Sequence, residues 1–136
     1  MILGFDPGRD KCGIAIMDKN RKLHDHQVVE SPKITTTITQ LHQQFNINLI
    51  VIGDQTTSEI WEQNLTKIIP EKVPIIKIDE RYSSLEARDR YWQIYPPQGL
   101  VRLIPPGMRI PPKPIDDIVA IILIERYLNS KSIFLN

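Results

Sequence analysis

The chain is poor in several things, and each shortage narrows what it can be. One cysteine among 136 residues leaves no disulfide framework and fits a reducing compartment. No apolar run approaches the length of a membrane span, and the first is interrupted at Asp6, so neither a signal peptide nor a membrane partner is expected. A net charge of +1 rules out a globally basic molecule, so a nucleic acid would have to meet a local patch. No serine, histidine and acid stand at motif-grade spacing, and no internal repeat is evident. What the chain does have is 41% apolar residues, enough for one core. It therefore reads as a single soluble, cytoplasmic domain over residues 1–136.

Apolar patterning gives the element order. Residues 2–6, 12–17 and 23–29, separated by Pro7-Gly8 and by Asp18-Lys19-Asn20-Arg21, predict three antiparallel strands in two hairpins. Ser31-Pro32 marks a helix start, with Ile34, Ile38, Leu41 and Phe45 at helical spacing. "NLIVIGD" is a strand buried on both faces, followed by turn formers in "GDQTTS". From Ser58, one stripe of Ile60, Trp61, Leu65, Ile68 and Ile69 runs to Pro70. "VPIIKIDE" is the next strand. "SSLEARDRYWQ" opens with Ser83 and Glu86 in capping-box spacing. "DDIVAIILIERYL" is a helix apolar on nearly every side, hence buried. A meander followed by alternating helices and strands predicts an α/β fold: a five-stranded mixed sheet with helices on both faces.

The segment at about 95–114, "YPPQGLVRLIPPGMRIPPKP", holds seven of the eleven prolines. Those prolines exclude a helix or an inner strand. Its apolar residues Leu100, Val101, Leu103, Ile104, Met108 and Ile110 predict an ordered insertion packed on the domain rather than a free linker.

Carboxylates recur at the carboxyl ends of strands, where open sheets with parallel strands bind ligands. Asp6 follows "ILGF", Asp54 follows "LIVIG", Asp79-Glu80 follow "IIKI", and Asp116-Asp117 head the last helix. Carboxylates brought close resist ionisation unless a cation sits among them. Mg²⁺ suits such an oxygen site, with Mn²⁺ as a substitute, and two ions can hold both oxygens of a phosphoryl displacement. Each acid also has a plainer reading. Asp6 and Asp54 fit turns, Asp79 and Glu80 fit surface pairs with Arg81, and one of Asp116 and Asp117 fits a helix-dipole role.

"ILGFDPGRDKCGIAI", "LIVIGD", "IDERYSSLEAR" and "PIDDIVAIILIERYL" together resemble the YqgF (RuvX) family of RuvC-like nucleases, which have the ribonuclease H-like fold. The similarity runs from Ile2 to Leu128. It implies Asp6 as the first-strand metal ligand, with Gly8, Lys11 and Gly13 in the family's hairpin pattern, Glu80 as a second acid, and Asp116 as the acid of the last helix. The expected catalytic and metal set is therefore Asp6, Glu80 and Asp116, binding one or two ions. Asp54 stands where the family usually carries an apolar residue or proline, whereas RuvC resolvases do take an acid from the fourth strand. The family's sheet order sets the fifth strand about two spacings of ~4.8 Å from Asp6, so Glu80 must reach and Asp54 need not. Asp54 and Asp117 both stand as additional carboxylates. The resemblance implies a Mg²⁺-dependent endonuclease acting on structured DNA or RNA, either Holliday junctions or precursor 16S ribosomal RNA, as a monomer or homodimer. Two rivals remain: a non-catalytic nucleic-acid-binding protein on the same fold, and an actin-like phosphotransferase, for which one domain is too short.

Between Arg81 and Lys113 stand six basic residues (Arg81, Arg88, Arg90, Arg102, Arg109, Lys113) against Glu86 and Asp89, a local patch suited to phosphates. Arg9 and Lys11, beside Asp6, are expected phosphate contacts, as are Arg81 and Arg88. Tyr82, Tyr91, Trp92 and Tyr95 fit base stacking, but for Tyr91, Trp92 and Tyr95, at helical spacing, the core or packing against arginine is the commoner fate. His24 and His26 share a strand face but are expected to be solvated rather than to hold a metal. Cys12 reads as a small core residue.

Overall fold

The computed structural model of the chain describes residues 1–54, 57–70 and 72–135. Its strands are β1 (Ile2–Asp6), β2 (Lys11–Met17), β3 (Leu23–Glu30), β4 (Leu49–Gly53) and β5 (Ile75–Ile78); its helices are α1 (Ile34–Phe45), α2 (Ser58–Ile68), α3 (Ser83–Ile94) and α4 (Asp116–Leu135). The five strands form one sheet in the order β3-β2-β1-β4-β5. β1–β2 and β2–β3 pair antiparallel, and β1–β4 and β4–β5 pair parallel. This is the expected mixed sheet, with β4 directly beside β1 and β5 one strand further out.

Side-chain alternation along β1 splits the core in two. Leu3 and Phe5 face α1 and α2, joining Ile14, Ile16, Ile38, Ile50, Ile52 and Leu65. Ile2 faces α3 and α4, joining Ala15, Val51, Tyr91 and the run Ile118–Ile124. Helix α4 is buried along that whole run, as its all-round apolarity requires. It lies on the sheet through glycines. A Cβ at Gly4 would collide with the Ala120 carbonyl, and one at Gly13 with the backbone of Asp116. Residues 4 and 13 therefore have room only for hydrogen.

Several local expectations are corrected. Ser31 caps no helix: a 3₁₀ turn (Ser31–Lys33) precedes α1, and the Ser31 hydroxyl donates to the Gly8 carbonyl at 2.9 Å. The Ser83–Glu86 capping box is absent, because α3 begins behind Tyr82 in a left-handed conformation (φ 62°) and Glu86 accepts a bond from Arg126 at 2.7 Å. Ile60 leaves the expected stripe and is 61% exposed. The strand expected at 73–80 is only Ile75–Ile78, half-buried at the sheet edge. The turn expected after Gly53 falls partly on Gln55 and Thr56, outside the described residues.

The Pro-rich segment holds two 3₁₀ turns, Gly99–Leu103 and Pro106–Met108. It is tied to α3 by Arg88, whose guanidinium donates to the Arg109 carbonyl at 3.3 Å. Contrary to the packing expected of them, most of its apolar side chains are solvent-exposed; only Val101 among them is half-buried. No helix among the described residues is long and apolar enough to cross a membrane.

Candidate active site

The sheet order sets β1 between β2 and β4, so Asp6, the last residue of β1, is flanked by Gly13 of β2. Gly13 leaves space for the first turn of α4 to settle there, which carries Asp116 to the same rim. On the β4 side, a Cβ at Gly53 would stand 2.5 Å from Oε2 of Glu80. Glu80 thus leans back across the missing side chain of β4 toward β1. Two glycines make room for two acids on either side of a third.

The electrostatics follow from this crowding. Asp6 is pushed up from 3.8 to about 7, first by burial, then by the charges of Asp116 and Glu80. Asp116 is also raised, chiefly by burial and further by Asp117, while Lys11 and its own backbone N–H pull it back. Asp54 follows β4 but is exposed, and its backbone N–H bonds to the Ile78 carbonyl at 3.0 Å. It is not among the acids that act on Asp6. Asp117 is occupied elsewhere: Oδ2 accepts from Nδ1 of His26 at 2.7 Å and Oδ1 from the Ile118 amide at 3.0 Å. The pairing with Arg81 falls to Asp79, whose Oδ1 accepts the Arg81 amide at 2.9 Å.

All the donors here are carboxylate oxygens, the set a hard divalent cation prefers, and their mutual repulsion is what such a cation relieves. Among the described residues, no group of three His, Cys, Asp or Glu side chains is drawn together tightly enough to hold a metal ion as it stands. The donor chemistry fits.

Of the expected phosphate contacts, Arg9 lies exposed in the β1–β2 turn, Lys11 is exposed at the start of β2, and Arg81 is exposed after β5. Arg88 is half-buried against the Pro-rich segment. Tyr91 is buried and meets Trp92 edge to face at 5.0 Å, so the core reading holds for both. His24 and His26 do not share a face. A bulge opposite Ile16/Met17 shifts the register, turning His24 to Asp18 and Phe45 and His26 to α4. Arg126 is a residue sequence reasoning missed. It donates to the Asp79 carbonyl and to Glu86, both at 2.7 Å, pinning the backbone that carries Glu80. Its only sequence signal is its place just past the buried run of α4.

A family model described as "RuvX: Holliday junction resolvase" matches residues 1–130. The chain belongs to the RuvX family. Among solved structures, Thermus thermophilus RuvC in complex with a Holliday junction substrate is similar at TM-score 0.58 and 14% identity, covering 96% of this chain and 95% of that one. A second Thermus thermophilus RuvC structure matches at TM-score 0.51 with the same identity and coverage. At such identity these two carry the fold alone, a ribonuclease H-like α/β architecture. A search of curated proteins returns no match.

Proposed function

We propose that this RuvX chain is a divalent-metal-dependent endonuclease acting on branched nucleic acid, with Asp6, Glu80 and Asp116 as the metal-holding carboxylates. The observation that carries the reading is Asp6, a strand-end acid pushed up to about 7 by burial and by two further carboxylates from distant parts of the chain. A purely structural rim has no reason to bring together acids whose charges oppose one another. When bound, Mg²⁺ supplies charge neutralisation and Lewis acidity at a phosphodiester. The chain's own part is to hold the three carboxylates on one rim and to orient the backbone of the substrate. Asp6 is fixed by the β1 ladder, Asp116 by the seat of α4 on Gly13, and Glu80 by the Arg126 clamp behind Asp79. Arg9 and Lys11 meet phosphates entering over the β1–β2 turn, with Arg81 beyond β5. Asp54, exposed at the end of β4, is the additional carboxylate that would join or replace Glu80.

The family description and the junction-bound fold relative favour a four-way DNA junction; precursor 16S ribosomal RNA is the other substrate class. A non-catalytic nucleic-acid-binding role on the same fold is the rival reading. Cleavage of both substrates with Mg²⁺ and with Mn²⁺ tests the reading. Cutting by the wild type that is lost in Asp6→Asn and Asp116→Asn, with binding kept, supports the nuclease. Binding without cutting under either ion establishes the rival.

A further inference from the structure

The largest anomaly outside the carboxylate rim is the segment between α3 and α4. Leu100, Leu103, Met108 and Ile110 are 81%, 80%, 71% and 82% exposed. Four large apolar side chains held out within eleven residues form a patch that a folded chain ordinarily buries or uses. The segment is not slack. Pro105, Pro106, Pro111 and Pro112 fix its backbone, and Arg109 staples it from inside, donating to the Ile104 carbonyl at 3.0 Å and the Arg102 carbonyl at 3.3 Å. Such a segment loses little conformational entropy on binding.

Charge indicates the occupant. Residues 95–115 contain Arg102, Arg109 and Lys113 and no acid. Among the described residues, none of these cations, nor Arg88 beside them, has a carboxylate partner. Arg88, Arg102 and Arg109 bond only to backbone carbonyls, and Lys113 lies over the Tyr95 ring at 5.7 Å. Arg90 and Arg126, by contrast, are paired with Glu125 and Glu86. Apolar side chains on a stiff support ringed by uncompensated cations suit a polyanion that also offers apolar faces. Unstacked bases of a nucleic acid provide both, since Leu, Ile, Met and Pro are the side chains that wedge between base steps. A second copy of the chain would bring like charge to like. The segment runs into α4, whose first residue is Asp116.

We propose that residues 95–114 form a rigid apolar wedge that seats against unstacked bases at a branch point, with Leu100, Leu103, Met108 and Ile110 as the contact side chains. The proposal rests on the nucleic-acid reading above, but not on cleavage. The test therefore measures binding in EDTA, using a four-way DNA junction and a branched RNA of equal arm length, each carrying 2-aminopurine at the branch, with a linear duplex as control. Leu100→Ser/Leu103→Ser and Met108→Ser/Ile110→Ser alter exposed positions, and circular dichroism checks that both fold. The expected result is a branch-point fluorescence rise with the wild type on at least one branched probe. Each double variant loses that rise and about tenfold or more of its branched-probe affinity, while duplex binding is unchanged. Equal loss on branched and linear probes, no loss, or no binding by the wild type overturns the wedge. So does a wild-type dimer in sedimentation that the variants dissociate, since that assigns the patch to a second copy. A positive result with no Mg²⁺-dependent cutting would keep the wedge and discard the nuclease.

Discussion

Residues 118–124 and residues 100–110 are two apolar stretches of one chain, separated by a few residues, with opposite fates. The first is an unbroken helix buried between sheet and α3; the second stands largely in solvent. The difference is backbone chemistry. In 118–124 every residue has an amide to give, so a helix satisfies the main chain and can enter the core. In 100–110 two prolines withhold donors and fix φ, and carbonyls are taken instead by the arginines of the segment. Apolar content alone predicts burial only where the backbone can close its own hydrogen bonds.

The contrast can be broken or sharpened by substitution. The largest effect is expected at the seat of the buried helix. Gly13→Val drives a side chain into the Asp116 backbone, and we expect loss of the cooperative urea transition or a cost above ~3 kcal/mol; a wild-type midpoint would refute the tight docking of α4. Next comes Asp6, at the end of β1 beside the first turn of that helix. Its native pKa of about 7 exceeds the ordinary 3.8, so between those values the folded state holds more protons than the unfolded one. Metal-free stability should therefore fall as pH rises from about 4 to 7 and level off above. The loss is up to ~4 kcal/mol, and Asp6→Asn removes it. Melting curves in EDTA at pH 5 and pH 8 check this: the variant should be the more stable protein at pH 8, and added Mg²⁺ should stabilise only the wild type. Ile122→Ala, in the buried run, should cost ~2–4 kcal/mol by denaturant titration. Leu103→Ala, in the exposed run, should stay within about 0.5 kcal/mol. Equal costs for the last two would erase the distinction between the regions.

Much of this was legible from residues. The element order, the mixed sheet and the burial of α4 follow from periodicities that tertiary structure had no cause to override. The gathering of Asp6, Glu80 and Asp116 followed from strand ends and from family resemblance. What escaped was whatever depended on a distant partner. Ser31 and Ser83 look like caps, but Gly8 took the hydroxyl of the first and Arg126 took Glu86 from the second. His24 and His26 keep strand spacing on paper, and one bulge parts them. Gly53 looked like a strand terminator, whereas its lack of a Cβ is what lets Glu80 fold inward. Asp54 has the shorter reach by strand count, and its exposure at the end of β4 was not legible in the sequence.

The contact between the Asp116 carbonyl and Gly13 has a consequence for change over time. Because the main chain of that residue is bolted to the sheet, its position does not depend on the twenty-one residues arriving from α3. On the nuclease reading proposed above, loop length and proline count can change there without detuning the acid next door, which would let substrate preference diverge around a fixed metal site.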